Sequence, residues 1–192
     1  MTKSLAQSTR IIDEYTHRLK RPTRSLYDPG ASIKAIVDPL RQRGLHVSDE
    51  LIALYSWHNG THADEETVLG DMHIMPGYYF LSLEEALATY DEFVNTLNKN
   101  PAWFPLLSDG AGGYAFLDCS ASETQPIYDF MFDEPDHKVI FCSIEDMLRT
   151  FAEAYVRGVF FVGEDGFLDM DSSEYDELAA EMNPNANYWS AI

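Results

Sequence analysis

Four groups of residues carry side chains able to do chemistry, and spacing decides what each could do. His58 and His62 stand four apart, with Asp64, Glu65, Glu66, Asp71 and His73 close behind. On an unbroken helix that spacing would bring two imidazoles to one face, as a divalent metal requires. Asn59-Gly60 breaks the helix between them, so the segment reads as a turn followed by an exposed acidic loop, Asp64 to Glu66. Asp165-Gly166-Phe167-Leu168-Asp169-Met170-Asp171, with Glu174, Asp176 and Glu177 nearby, invites a calcium reading. A helix-loop-helix calcium loop needs acids at its first, third and fifth positions, and Phe167 fills the third. Asp171 and Glu174 read instead as the start of a helix. The Gly110 to Gly113 run could cradle an anion, but it lacks the lysine and hydroxyl of a phosphate loop and opens no helix, so it reads as a turn between strands. Asp109 and Asp118 could pair as acid and base with His137 as a distant base, yet nothing in their spacing selects a reaction, and no GxSxG, HExxH or cysteine-histidine signature accompanies them. No enzyme activity, metal or cofactor is expected.

Cys119 and Cys142 form no CxxC pattern and read as free thiols in a reducing cytoplasm. The first twenty residues contain Asp13, Glu14 and several cations, so they hold no signal-peptide core. No window approaches the ~18 consecutive apolar residues of a membrane span. A cytoplasmic protein is the expectation. Charge is uneven: residues 1–43 hold nine Lys/Arg against four Asp/Glu, a balance of +5, while the rest holds four against twenty-eight, a balance of −24. Such a body repels nucleic-acid phosphate and anionic lipid and attracts basic proteins.

The elements that position these groups follow from caps and periodicity. Ser4 and Gln7 fit a capping box for a helix from Leu5 to Lys20, with Leu5, Ile11, Ile12, Tyr15 and Leu19 on one stripe. That helix could dock on the acidic body or stand off as an arm. Arg21 to Gly30, with two prolines and a glycine, reads as an irregular connector. Ser32 opens a helix that Pro39 should end near Asp38. Ser48 caps an amphipathic helix stopped by positive-φ residues at Asn59-Gly60. Thr67 to Met75 and Tyr78 to Leu81 read as strands, and Ser82 with Glu85 boxes a helix running to about Leu97. Trp103 to Leu107 and Tyr114 to Asp118 bracket the glycine turn, and Ile127 to Phe132 with Val139 to Phe141 form a hairpin-like pair. A helix from Ser143 ends at Gly158. Short strands at Val159 to Val162 and Phe167 to Met170 follow, then a last helix from Ser172 to Met182. Trp57, Trp103, Tyr114, Phe130 and Trp189 read chiefly as core, with a groove wall as their other use. The strands lack the regular alternation of a doubly wound sheet. The fold class is therefore α+β: a twisted, largely antiparallel or mixed sheet of about five to six strands with helices packed on it.

The order of these motifs resembles the SUKH superfamily, which includes a yeast cell-wall-assembly regulator family and many bacterial immunity proteins. The matching residues are Trp57-His58-Asn59-Gly60, the Phe80 to Ala86 helix entry, Trp103-Phe104-Pro105, Gly112-Gly113-Tyr114 before Leu117-Asp118, the Ser143 to Arg157 helix, and Asn183-Pro184 near Tyr188-Trp189. The resemblance implies that residues 1–30 are a helix and connector preceding a SUKH-like domain at 31–192. It also implies a structural role for Trp57, Asn59, Gly60, Trp103, Pro105, Gly112, Gly113 and Asp118, and a binding domain without a common catalytic set. Joined to the charge, it points to an immunity protein whose acidic face occludes a basic toxin, for example a nuclease. The loops at Asp64, Glu65 and Glu66, at Asp133, Glu134 and Asp136, and at Glu164 and Asp165 are the expected contacts. The cell-wall branch leaves a second reading, a regulator or scaffold with no toxin, and Asp109 with Asp118 leave a third, an unrecognised hydrolase.

Overall fold

In the computed structural model, which describes residues 3–120, 124–131 and 136–191, the chain opens with the amphipathic helix α1 (Lys3–Arg18). It begins at Lys3, so Ser4 lies inside it instead of capping it. It stops before Lys20 because Lys20 turns left-handed, with φ +54°. The Lys20 N–H then reaches the His17 carbonyl (3.1 Å) and the Arg21 N–H that of Thr16 (3.0 Å), a helix closure that usually uses glycine where this chain has lysine.

The Arg21 to Gly30 segment is not irregular: it holds a short helix, α2 (Thr23–Leu26), and a strand, β1 (Tyr27–Pro29). Its prolines fit, since Pro22 stands at the N-cap of α2, where no N–H is needed, and Pro29 ends a two-stranded edge. Helix α3 (Ile33–Gln42), capped by Ser32, runs through Pro39 instead of ending there. Buried Ile36, Val37 and, beyond the proline, Leu40 hold it to the core. Helix α4 (Asp49–Trp57), capped by Ser48, passes directly into β2 (His58–Thr61), which pairs antiparallel with β1. Asn59 is part of that strand, and Gly60 alone takes a positive φ, +81°. Glycine is required there because a Cβ would sit 2.3 Å from the Ser82 backbone nitrogen.

Thr67 to Met75 divides into a helical turn, α5 (Leu69–Met72), and a shorter strand, β3 (His73–Met75). After β4 (Tyr78–Phe80) comes α6 (Leu83–Asn95), entered through the Ser82/Glu85 capping box. Strands β5 (Trp103–Ser108), β6 (Gly113–Asp118), β7 (Ile127–Met131) and β8 (Val139–Phe141) follow. Helix α7 (Ile144–Arg157), capped by Ser143 and closed by Gly158, leads to the hairpin of β9 (Phe160–Val162) and β10 (Leu168–Met170). Helix α8 (Ser172–Met182), capped by Asp171, and a 3₁₀ turn at Trp189–Ala191 complete the described chain.

Strands β3 to β8 form one curled antiparallel sheet in chain order, and the class is α+β as the element pattern indicates. Alternation sends Leu107, Ala115, Leu117, Ile127 and Phe141 to one face, into a core shared with α1, α3, α4, α7 and α8. On the other face Phe116 and Phe130 meet Phe93 from the last turns of α6, flanked by Trp103, Tyr114 and Leu97. Helix α1 docks on α7: Leu5 and Ile12 are fully buried, and the Tyr15 ring lies 5.8 Å from that of Tyr155. The Asp13 carboxylate accepts the Trp57 indole N–H (2.9 Å) and faces His58 Nε2 at 3.1 Å. Arg21, only 4% exposed, donates to the carbonyls of Gly70 (2.9 Å) and Gly166 (3.4 Å) and to the Thr23 hydroxyl (3.2 Å). It thereby joins the α1–α2 corner to α5 and to the β9–β10 turn.

Candidate functional site

Strand β7 reads Ile-Tyr-Asp-Phe-Met, and the period of two places Asp129 and Met131 on the large-core face beside Ile127. Asp129 stands opposite Ala115 of β6, which in turn stands opposite Leu107 of β5. Alanine at the middle of the sheet is too small to meet the helices above it. The result is a half-open cleft of about 160 Å³, floored by Leu107 and Ala115 and walled by Tyr78, Tyr175, Tyr188 and Trp189. Its two carboxylates are Asp129 from β7 and Asp176 from α8. Burial pushes the Tyr78 phenol up, and Asp129, Asp109 and Tyr188 push it further, so it remains a neutral donor at the mouth.

Beside this mouth the surface turns acidic around an apolar centre. The Leu69 side chain lies on Gly110, where a Cβ would meet it at 3.0 Å, and the Met131 sulfur lies 3.1 Å from a Cβ placed on Gly113. Val68, Leu69 and Met131 are 49%, 44% and 39% exposed, which is unusual for side chains of this size gathered at one end of a sheet. The Phe167 ring packs on Gly70, and Arg21 bonds both Gly70 and Gly166, so α5, which follows the Asp64 to Glu66 loop in the chain, is joined to the turn that carries Glu164 and Asp165. All five of these acids are exposed. The Asp64 carboxylate accepts the Thr67 hydroxyl (2.6 Å) and the Glu66 N–H (3.0 Å), and these bonds pull its pKa down. Asp136 lies elsewhere, next to His137, whose ring stacks on Phe130 on the opposite face of the sheet. Asp133 and Glu134 fall outside the described residues.

The other chemically able residues disperse. His58 faces Asp13, His62 Nδ1 faces Asp28 at 3.0 Å, and His73 Nδ1 accepts the Gly77 N–H at 3.3 Å. Burial, with Arg21 nearby, lowers the His73 pKa. Asp109 accepts the N–H groups of Ala111 (2.7 Å) and Gly113 (2.8 Å) and the Ser108 hydroxyl accepts that of Gly110 (3.1 Å), so three donors of the glycine loop are taken by the chain's own side chains. Asp118 stands at the far end of β6, about 17 Å away by strand rise, and caps Ser120 (2.8 Å). Cys119 is buried, and desolvation pushes its thiol up to about 12. Among the described residues no three His, Cys, Asp or Glu gather as metal ligands, and no helix is long and apolar enough to cross a membrane.

With this sheet, its order and its motif positions in place, the sequence model of the SMI1 / KNR4 family (SUKH-1) matches residues 30–150. The chain belongs to that family. No curated protein matches it.

The SUKH-1 match spans α3 to the middle of α7 and so contains the whole six-stranded sheet. Within it the motif residues act as joints. Asn59 Oδ1 accepts the Leu83 N–H at the start of α6 (3.2 Å), and Gly60 lets β2 pass against Ser82. The Trp103 ring stacks on Tyr128 at 5.0 Å, and Pro105 lies opposite Phe116. Gly112, at φ +110°, turns the chain into Gly113 and β6. Trp57 instead reaches out of the matched span to Asp13. Sequence reasoning gave no role to Asp129 or Met131, and it read Tyr78 only as the start of a strand and Asp176 only as an acid near the calcium-like run. The one available signal was Asp129, an acid on the inward register of an otherwise apolar strand.

Proposed function

We propose that this SUKH-1 domain is a non-enzymatic protein-binding module, an immunity protein that neutralises a cognate toxin by covering its active site. The observation that supports this reading is the exposed apolar group Val68, Leu69 and Met131, with the exposed acids Asp64, Glu65 and Glu66 just before Val68 in the chain, Asp109 in the glycine turn that Leu69 covers, and Glu164 and Asp165 in the turn that Arg21 and Phe167 join to α5. An apolar centre with a charged rim is the composition of a protein interface, with the centre giving desolvation and the rim giving steering. The net charge of −19 favours a basic partner, such as a nuclease domain whose own surface must attract phosphate. Placed over such a surface, the domain excludes substrate by shape and charge without chemistry of its own.

The test begins with the gene's neighbourhood: a toxin-bearing gene immediately upstream is expected, an isolated gene would favour a regulator or scaffold, and the toxin domain found there is the partner assayed. Its association rate with the chain is expected to fall at least about tenfold between roughly 20 mM and 500 mM salt, because the distance over which exposed charges act shrinks from roughly 20 Å to about 4 Å over that range. Leu69→Lys, at an exposed position, is expected to weaken the complex about a hundredfold while leaving the fold intact. Salt-independent association, or an unaffected Leu69→Lys complex, would overturn the reading.

A further inference from the structure

We propose that the cleft over Ala115 is a socket for one arginine side chain of the basic partner, a proposal that rests on the protein-binding reading above. The chemistry of the walls narrows the occupant. An uncharged apolar group would fill the hollow but bury the two carboxylates of Asp129 and Asp176 more deeply with no charge to offset theirs, which is unfavourable. An anion would be repelled by both carboxylates. A metal ion finds no set of three ligands among the described residues. What fits is a cation with an apolar stem and a flat head: the stem lies over Leu107 and Ala115, and the head reaches the two aspartates. Arginine suits this better than lysine. Its guanidinium is planar, weakly hydrated and able to bond two carboxylates at once, and it stacks on aromatic rings such as Tyr78 and Tyr188. The size agrees, since about 160 Å³ matches cavities of roughly 150 Å³ that admit a benzene ring. Met131 follows Asp129 on the same face of β7 and Asp109 is near enough to act on the Tyr78 phenol, so a partner resting on the apolar patch has a side chain within reach of the cleft.

The probe is N-acetyl-arginine N-methylamide, titrated into the full chain while the methyl resonances of Met75 and Met170, two further cleft residues, are followed by NMR. Saturable shifts are expected, with half-saturation of about 1 to 10 mM. The citrulline analogue, equal in shape but neutral, should give none, and the lysine analogue should bind several-fold more weakly. Asp129→Asn and Asp176→Asn are each expected to weaken the arginine probe about tenfold with unchanged thermal unfolding. No saturable shift, or equal shifts from citrulline, overturns the socket, and equal binding of lysine overturns the choice of arginine. Because the probe needs no partner, the two readings fail separately. A silent cleft beside salt-steered toxin association removes only the socket, and a responsive cleft beside salt-independent association removes only the immunity role.

Discussion

The two faces of the six-stranded sheet are built from the same strands and end differently. On one, Phe93, Phe116 and Phe130 sit with ring centroids 5.2 to 5.4 Å apart, and Trp103, Tyr114 and Tyr128 close the margins. Edge-to-face rings at this spacing leave no room for a visitor. On the other, the central strand β6 carries Ala115 between Leu107 of β5 and Asp129 of β7, and two aspartates, Asp129 and Asp176, line the gap. Filling a face with aromatics produces stability; withholding bulk at one position and adding charge leaves a charged hollow. The difference between the faces is one register, since β6 sends Phe116 one way and Ala115 the other.

That contrast can be broken by substitution. Phe116→Ala removes the centre of the closed face and is expected to lower unfolding free energy by about 3 to 5 kcal/mol in urea titration. The arginine probe should still bind below the transition, and a loss under 1.5 kcal/mol would mean that this face is not packed as described. Ala115→Leu is the mirror experiment. It should change stability by less than about 1.5 kcal/mol, because the hollow can take the added carbons, yet abolish the probe's shifts. A severe loss of stability would show the cleft to be too small to hold anything.

The smallest effect concerns the helical layer behind the open face. Burial, together with Glu145 and Asp146, raises the Glu50 pKa despite the bond its carboxylate accepts from the Glu145 N–H (3.0 Å). The folded state therefore holds this proton to higher pH than the unfolded chain does, so stability falls as pH rises through the range just above the ordinary carboxylate pKa. Glu50→Gln should remove that part of the decline. Urea titrations of both proteins across that range should diverge with rising pH in favour of the variant, and parallel curves would contradict the shift.

Much of the fold was legible because it is written locally. Ser32, Ser48, Ser82, Ser143 and Asp171 each cap the helix their spacing announces, accepting an N–H three residues on. What escaped was decided by distant partners. Strand β1 exists because β2 is there to pair with it, α3 outlasts Pro39 because Leu40 has a core to enter, and α5 replaces a strand where Phe167 rests on Gly70 and Arg21 bonds its carbonyl. The proposed binding surface was half legible. The acidic loops at 64–66 and 164–165 are visible as charge runs. The cleft needs Tyr78, Asp129 and Asp176 from three elements to converge, and no local pattern announces that.

The bond from Trp57 to Asp13 ties a residue of the family's span to a helix that precedes it. One carboxylate there serves both the indole and the neighbouring imidazole, so neither partner can drift alone during descent. Among relatives, an acid at that helical position and the Trp-His pair should be inherited together, and lineages that have shed the leading helix should be free to spell the pair another way.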